Sequence, residues 1–117
     1  MGREIEQLLP PEFVTKDSGT REEYRSGMVR DTQSGKPRFD LCYTGPMLHR
    51  WASLLMRGAE KYGENNWTLA DSEEEATRFR SSAARHFAQW MNGERDEDHA
   101  AAVIFNVNAY EYTRSKL

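Results

Sequence analysis

From position 46 onward, apolar side chains recur every third or fourth residue, and that spacing predicts three helices. The first runs over about Pro46–Tyr62, with Met47, Trp51, Leu54, Leu55, Gly58 and Tyr62 on one buried stripe. Pro46 suits its first turn, where a missing N–H costs nothing, and Gly63 suits its stop. The second opens at Ser72, which forms a capping-box pattern with Glu75 and is followed by three glutamates at the positive end of the helix dipole. Its stripe is Ala76, Phe79, Ala83, Phe87 and Trp90, and Asn92-Gly93 closes it. Asp96 or Asp98 caps the third, which reaches about Arg114 with Ala102, Val103, Phe105, Ala109, Tyr110 and Tyr112 available for burial. Three such helices leave apolar surface open. The expected fold is therefore an all-α bundle of three main helices, completed by association into a dimer or a higher oligomer.

Residues 1–35 break this pattern. Only Met1, Ile5, Leu8, Leu9, Phe13, Val14, Tyr24, Met28 and Val29 are apolar there, and Pro10-Pro11, Ser18-Gly19 and Ser26-Gly27 interrupt them. The stretch reads as irregular, with a short strand at Gly27–Arg30.

Composition narrows the function. A chain of 117 residues has room for one domain, and its 16 basic against 19 acidic residues exclude the clustered excess of Lys and Arg that coating a nucleic-acid polymer requires. The longest apolar run, Ala100–Phe105, is far short of the ~20 residues of a bilayer span. No signal-like apolar region follows the amino terminus. The single cysteine, Cys42, can form neither an internal disulfide nor a metal cluster by itself. A cytoplasmic protein is expected, with no membrane partner and with chemistry built from carboxylates, His, Lys and Arg.

Several polar residues fall on or beside the apolar stripes. His86 lies at the core edge of the second helix, and His99 and Asn106 share a face of the third. Buried polar groups need partners, and one account is that His86 and Asn106 bond each other or the backbone. Between these helices, Glu94, Asp96, Glu97 and Asp98 with His99 put four carboxylates and an imidazole within six residues. A hard cation such as Mg²⁺ wants a few carboxylate oxygens, although a solvated acidic loop has the same composition. The end of the first helix offers Glu60 to a metal, Lys61 to a phosphate, and Tyr62 or Trp67 to a base face, with Asn65-Asn66 as a turn between them. Lys36 and Arg38 flank Pro37 in an extended segment. No Gly-x-Ser-x-Gly, phosphate-loop or dinucleotide fingerprint occurs, and Asp98-His99 reverses the His-Asp order of HD-type phosphohydrolases.

Six motifs then fall in a familiar order: Gly27–Thr32, Gly35–Leu41, Gly58–Gly63 with Asn66-Trp67, Arg85-His86 with Gln89-Trp90, Gly93–His99, and Asn106. Over about residues 27–113 the chain resembles the phage and prophage family called dATP/dGTP diphosphohydrolase, N-terminal. Many relatives carry a second His where this chain has Ala102.

The resemblance implies a single helical domain over 27–117 behind an irregular arm over 1–26. It also implies a nucleotide pyrophosphohydrolase, similar in overall chemistry to the MazG-like all-α enzymes, although their Glu-Glu-x-x-Glu signature is not cleanly present at Glu73–Glu75. Such an enzyme uses Mg²⁺ or Mn²⁺ and water to split purine deoxynucleoside triphosphates into monophosphate and pyrophosphate, here in a host cytoplasm. The expected metal ligands are Glu60, Glu94 and Asp98, with His86 or His99 orienting water or a leaving oxygen. Lys36, Arg38, Lys61 and Arg85 balance the triphosphate charge, Asn66 and Trp67 belong to the substrate site, and Asn106 reads base or sugar. The competing expectation is a phage nucleotide sponge or regulator, which needs the cationic and aromatic residues but no metal set.

Overall fold

Each predicted helix forms, and local chemistry accounts for its ends. In the computed structural model, which describes residues 15–117, α1 spans Met47–Tyr62, α2 Glu73–Met91 and α3 His99–Arg114. Pro46 sits one residue before the first turn of α1 rather than within it. Gly63 ends α1 at φ 95°, a conformation that strains any residue with a Cβ. At the start of α2, the Glu75 amide donates to Ser72 Oγ at 3.2 Å, and the Glu75 carboxylate accepts from the Ser72 hydroxyl and the Asp71 amide. Asp98 is the residue that caps α3, accepting from the Ala101 amide at 3.1 Å. Two 3-10 turns, Phe39–Tyr43 and Asn66–Leu69, are additions to the sequence reading. Each is too short to show a helical period.

α2 and α3 run antiparallel and form the most extensive contact. Glu73 at the start of α2 pairs with Arg114 at the end of α3, while His86 near the end of α2 meets His99 at the start of α3. Among the described residues the buried apolar positions are Ala70, Ala76, Ala101, Ala102 and Ala109. Small side chains let the backbones approach, and the rings pack at the edges of that seam. Phe105 stands edge-on to both Trp67 and Phe79, at 6.0 and 6.3 Å between centroids.

The expected burial is corrected on the larger residues. No residue of α1 is fully buried, although its stripe is strongly one-sided. Phe87, Trp90 and Tyr112 are 50%, 51% and 44% exposed, and Tyr62 is exposed too. Two helices in contact and a third leaning on α3 leave one side of each stripe uncovered. None of the helices is long and apolar enough to cross a membrane, among the described residues.

The chain divides after Pro37 into two compact units. In the first, β1 (Arg21–Glu23) pairs antiparallel with β2 (Val29–Asp31), with Glu22 opposite Arg30. The strand expected at Gly27–Arg30 is thus present, shifted by a residue or two, and β1 falls in a stretch that reads as irregular. The reason is that a backbone ladder and polar contacts hold this hairpin, so no apolar alternation marks it. The Asp31 carboxylate alone gathers Ser18, Arg21 and Lys36. Ile5, Leu8, Leu9, Pro10-Pro11, Phe13 and Val14 of the expected arm lie outside the described residues.

Candidate functional site

The turn that ends α2 builds a polar site in the helical unit. The Gly93 amide donates to the Trp90 carbonyl and the Glu94 amide to the Gln89 carbonyl, while Gly93 takes φ 76°. That glycine-based stop folds the chain back, so Glu94 returns beside the helix it has just left. The Asn92 side-chain amide reaches the Glu94 carboxylate at 3.2 Å, and that of Gln89 reaches it at 3.5 Å. Four residues on, Asp98 starts α3 and places His99 in its first turn, with the ring turned into the seam.

Glu94, Asp96 and His99 converge there. One ligand atom from each lies within 4.8 Å of the others. They line a recess of about 580 Å³ together with Arg50, Trp90, Arg95, Glu97 and Asp98. His99 is 2% exposed, and its Nε2 sits 2.7 Å from Asp96 Oδ1. That hydrogen bond lowers the Asp96 pKa from its ordinary value. On the other side of the ring, His99 Nδ1 is 2.9 Å from His86 Nδ1, and His86 Nε2 is 3.3 Å from Arg85 Nη2. Burial, and then the Arg85 charge beside it, push the His86 pKa down. His86 is therefore a neutral ring in a file that runs Arg85–His86–His99–Asp96. Gln89 Oε1 is buried without a hydrogen-bond partner, in a side chain whose amide touches Glu94.

The residues expected to form one site are placed apart. Glu94, His86 and His99 come together, joined by Asp96, which the sequence reading offers only as an acid of the loop or a helix cap. Asp98 lines the same recess but is engaged: Arg50 grips both its oxygens at 2.8 and 2.5 Å while it caps α3. That pairing holds its carboxyl down at about 2. Glu60 is exposed on α1 and lines neither this recess nor the cavity described next. Asn66 and Trp67 line a separate, largely apolar cavity of about 760 Å³ with Leu55, Ala59, Phe79 and Phe105. The two linings come near each other on α1, where Ala52 lines the cavity and Arg50 the recess. Lys61 lies over the Tyr62 ring at 5.1 Å.

Arg38 is exposed and binds Asp40 through two nitrogens. Lys36 belongs to the first unit, where it pairs with Asp31. Asn106 is buried and donates to the Ala102 carbonyl one turn back at 2.8 Å. Of the alternatives the sequence account offers, Asn106 takes the backbone bond, while His86 meets His99 rather than Asn106. The residue that sequence reasoning missed outright is Arg50, because no local pattern ties it to a carboxylate 48 positions later. Asp96 had a usable signal, its three-residue spacing from His99.

Residues 26–115 match the family described as dATP/dGTP diphosphohydrolase, N-terminal. No curated protein and no solved structure matches the chain.

Proposed function

We propose, because this chain belongs to the dATP/dGTP diphosphohydrolase, N-terminal family, that it hydrolyses dATP and dGTP to the monophosphate and pyrophosphate, in the cytoplasm, with a divalent cation held by Glu94 and Asp96. The observation that carries this is the convergence of Glu94, Asp96 and His99 within one recess, backed by a second buried imidazole. The donor set fits a hard cation. Two carboxylates from one turn, each already steadied by a neighbour, offer oxygens while leaving room for water. A cation there supplies positive charge for a polyphosphate and activates water for attack on phosphorus.

The chain's own residues do the rest. Asn92 and Gln89 orient Glu94, and His99 orients Asp96. Arg95 lines the recess, where its guanidinium can meet the leaving pyrophosphate. No side chain in the recess is a convincing nucleophile, so water is the attacking group.

The decisive assay incubates the protein with each deoxynucleoside triphosphate and Mg²⁺ or Mn²⁺ and separates products by anion exchange. Monophosphate plus pyrophosphate, from the purine substrates, is the expected result. Nucleoside plus triphosphate would place the chain in another hydrolase class. Tight binding without product would make it a nucleotide sponge.

The same proposal includes a homo-oligomer. α1 carries a one-sided stripe with no fully buried residue, and Leu69, Phe87, Trp90, Met91 and Val107 are all at least half exposed. Light scattering at micromolar concentration should give a mass of two chains or more. A mass of one chain refutes the association.

A further inference from the structure

We propose that Arg85 and His86 are positioning residues that lock the His99 proton on Nε2, so that His99 braces Asp96 and is withheld from the cation as a ligand. The inference rests on the assignment of a cation to Glu94 and Asp96, and it adds a reason for the kind of cation the recess accepts.

The file of contacts has two ends of fixed polarity. A guanidinium has only N–H donors and keeps its proton, whereas an ionised carboxylate only accepts. Arg85 Nη2 therefore donates to His86 Nε2 across 3.3 Å, which leaves the proton of a neutral His86 on Nδ1. His86 Nδ1 then donates to His99 Nδ1 across 2.9 Å, which puts the proton of a neutral His99 on Nε2. His99 Nε2 donates in turn to Asp96 across 2.7 Å. Starting from Asp96 gives the same order. Both ends agree, and one arrangement of protons satisfies every contact.

Ligation of a cation by His99 Nε2 reverses the file. That nitrogen must present its lone pair, so its proton is lost to solvent and Nδ1 carries one instead, taken from His86. His86 then picks up a proton on Nε2, leaving the total unchanged. Its Nε2–H now faces an Arg85 N–H, two donors with nothing between them. His86 and His99 are 9% and 2% exposed, so of the two donors only the exposed Arg85 can turn to solvent, and doing so gives up its hydrogen bond to His86. Arg85 thus opposes ligation by a residue it does not touch. What remains for a cation is carboxylate oxygen, the set that suits Mg²⁺ or Mn²⁺, while Zn²⁺ favours a nitrogen donor.

The test has two readings on the full chain. Ring ¹⁵N shifts of the metal-free protein report which nitrogen of each histidine is protonated. Calorimetric titration with Mg²⁺ and, separately, Zn²⁺ reports selectivity. The wild type should show His99 protonated on Nε2 and His86 on Nδ1. Arg85→Leu should leave both rings in mixed tautomers and raise Zn²⁺ affinity by about tenfold, the size but not the sign of the usual effect of losing an outer partner of a ligand. Arg85→Lys, which keeps a donor, should restore the wild-type pattern. A purely structural Arg85 would lower the melting temperature in the Leu variant without moving either tautomer. The lock is overturned by a wild-type His99 protonated on Nδ1, or by equal Zn²⁺ to Mg²⁺ preference in wild type and Leu variant. If neither form binds either cation, the cation assignment and the selectivity fall together, while the metal-free tautomers still decide the lock.

Discussion

Asp96→Asn and Glu94→Gln should each lower the proposed hydrolysis of dATP and dGTP by at least about 100-fold, the upper end of what even an outer partner of a metal contributes. Each change keeps shape and removes one charge. Glu94 accepts from Asn92 and Gln89 and has no cation of the chain paired with it among the described residues. Asp96 is 64% exposed on its side chain and has His99 as its partner. Neither carboxylate caps a helix or closes a core, so the variants should melt within about 0.5 kcal/mol of the wild type, as surface changes usually do. The two readouts together decide the outcome. Lost turnover with retained stability and weakened Mg²⁺ binding supports catalysis at this recess. Full activity in both variants removes the chemistry from it.

Helix positions were legible in the sequence because their determinants are local. Ser72 with Glu75, Gly63 and Gly93 act within one or two turns, so their patterns survive in a single chain. Burial was less legible. Phe87 and Trp90 sit at correct helical spacing and are still half exposed, because periodicity tells which face is apolar but not what covers it. The acidic loop was visible, yet choosing among its carboxylates depends on contacts made across the fold. Asp96 and Asp98 differ by two positions. One points to His99, three residues on, and the other to Arg50 on a helix far upstream, a partner that nothing in the loop announces. The two histidines were marked by their place on apolar faces, but their mutual contact depends on α2 and α3 running antiparallel in one register. Glu60 and the Asn66-Trp67 pair illustrate the same limit: neighbours in sequence, they take different surfaces of the helical unit.

Asp98 separates a structural acid from a metal ligand, and the expected result is a loss of stability concentrated at acid pH. In the folded chain its pKa is about 2, below the ordinary 3.8, chiefly because Arg50 binds both oxygens. A depressed carboxyl stabilises the fold above its unfolded pKa, and the gain disappears as pH falls through the folded value. The window is therefore roughly pH 4 down to pH 2. The shift is worth about 1–2 kcal/mol once solvent screening at Arg50, 40% exposed, is included. Asp98→Asn keeps an N-cap and should lose only this part, together with the acid dependence that comes from it. Asp98→Ala loses the cap as well, about 1 kcal/mol more, and should melt roughly 8–12 °C below the wild type. Urea unfolding at pH 7 and pH 3 measures both differences: the gap between wild type and Asp98→Asn should be open at pH 7 and narrowed at pH 3. A pH-independent gap, or an Asn variant as stable as the wild type but unable to bind Mg²⁺, would return Asp98 to the metal set.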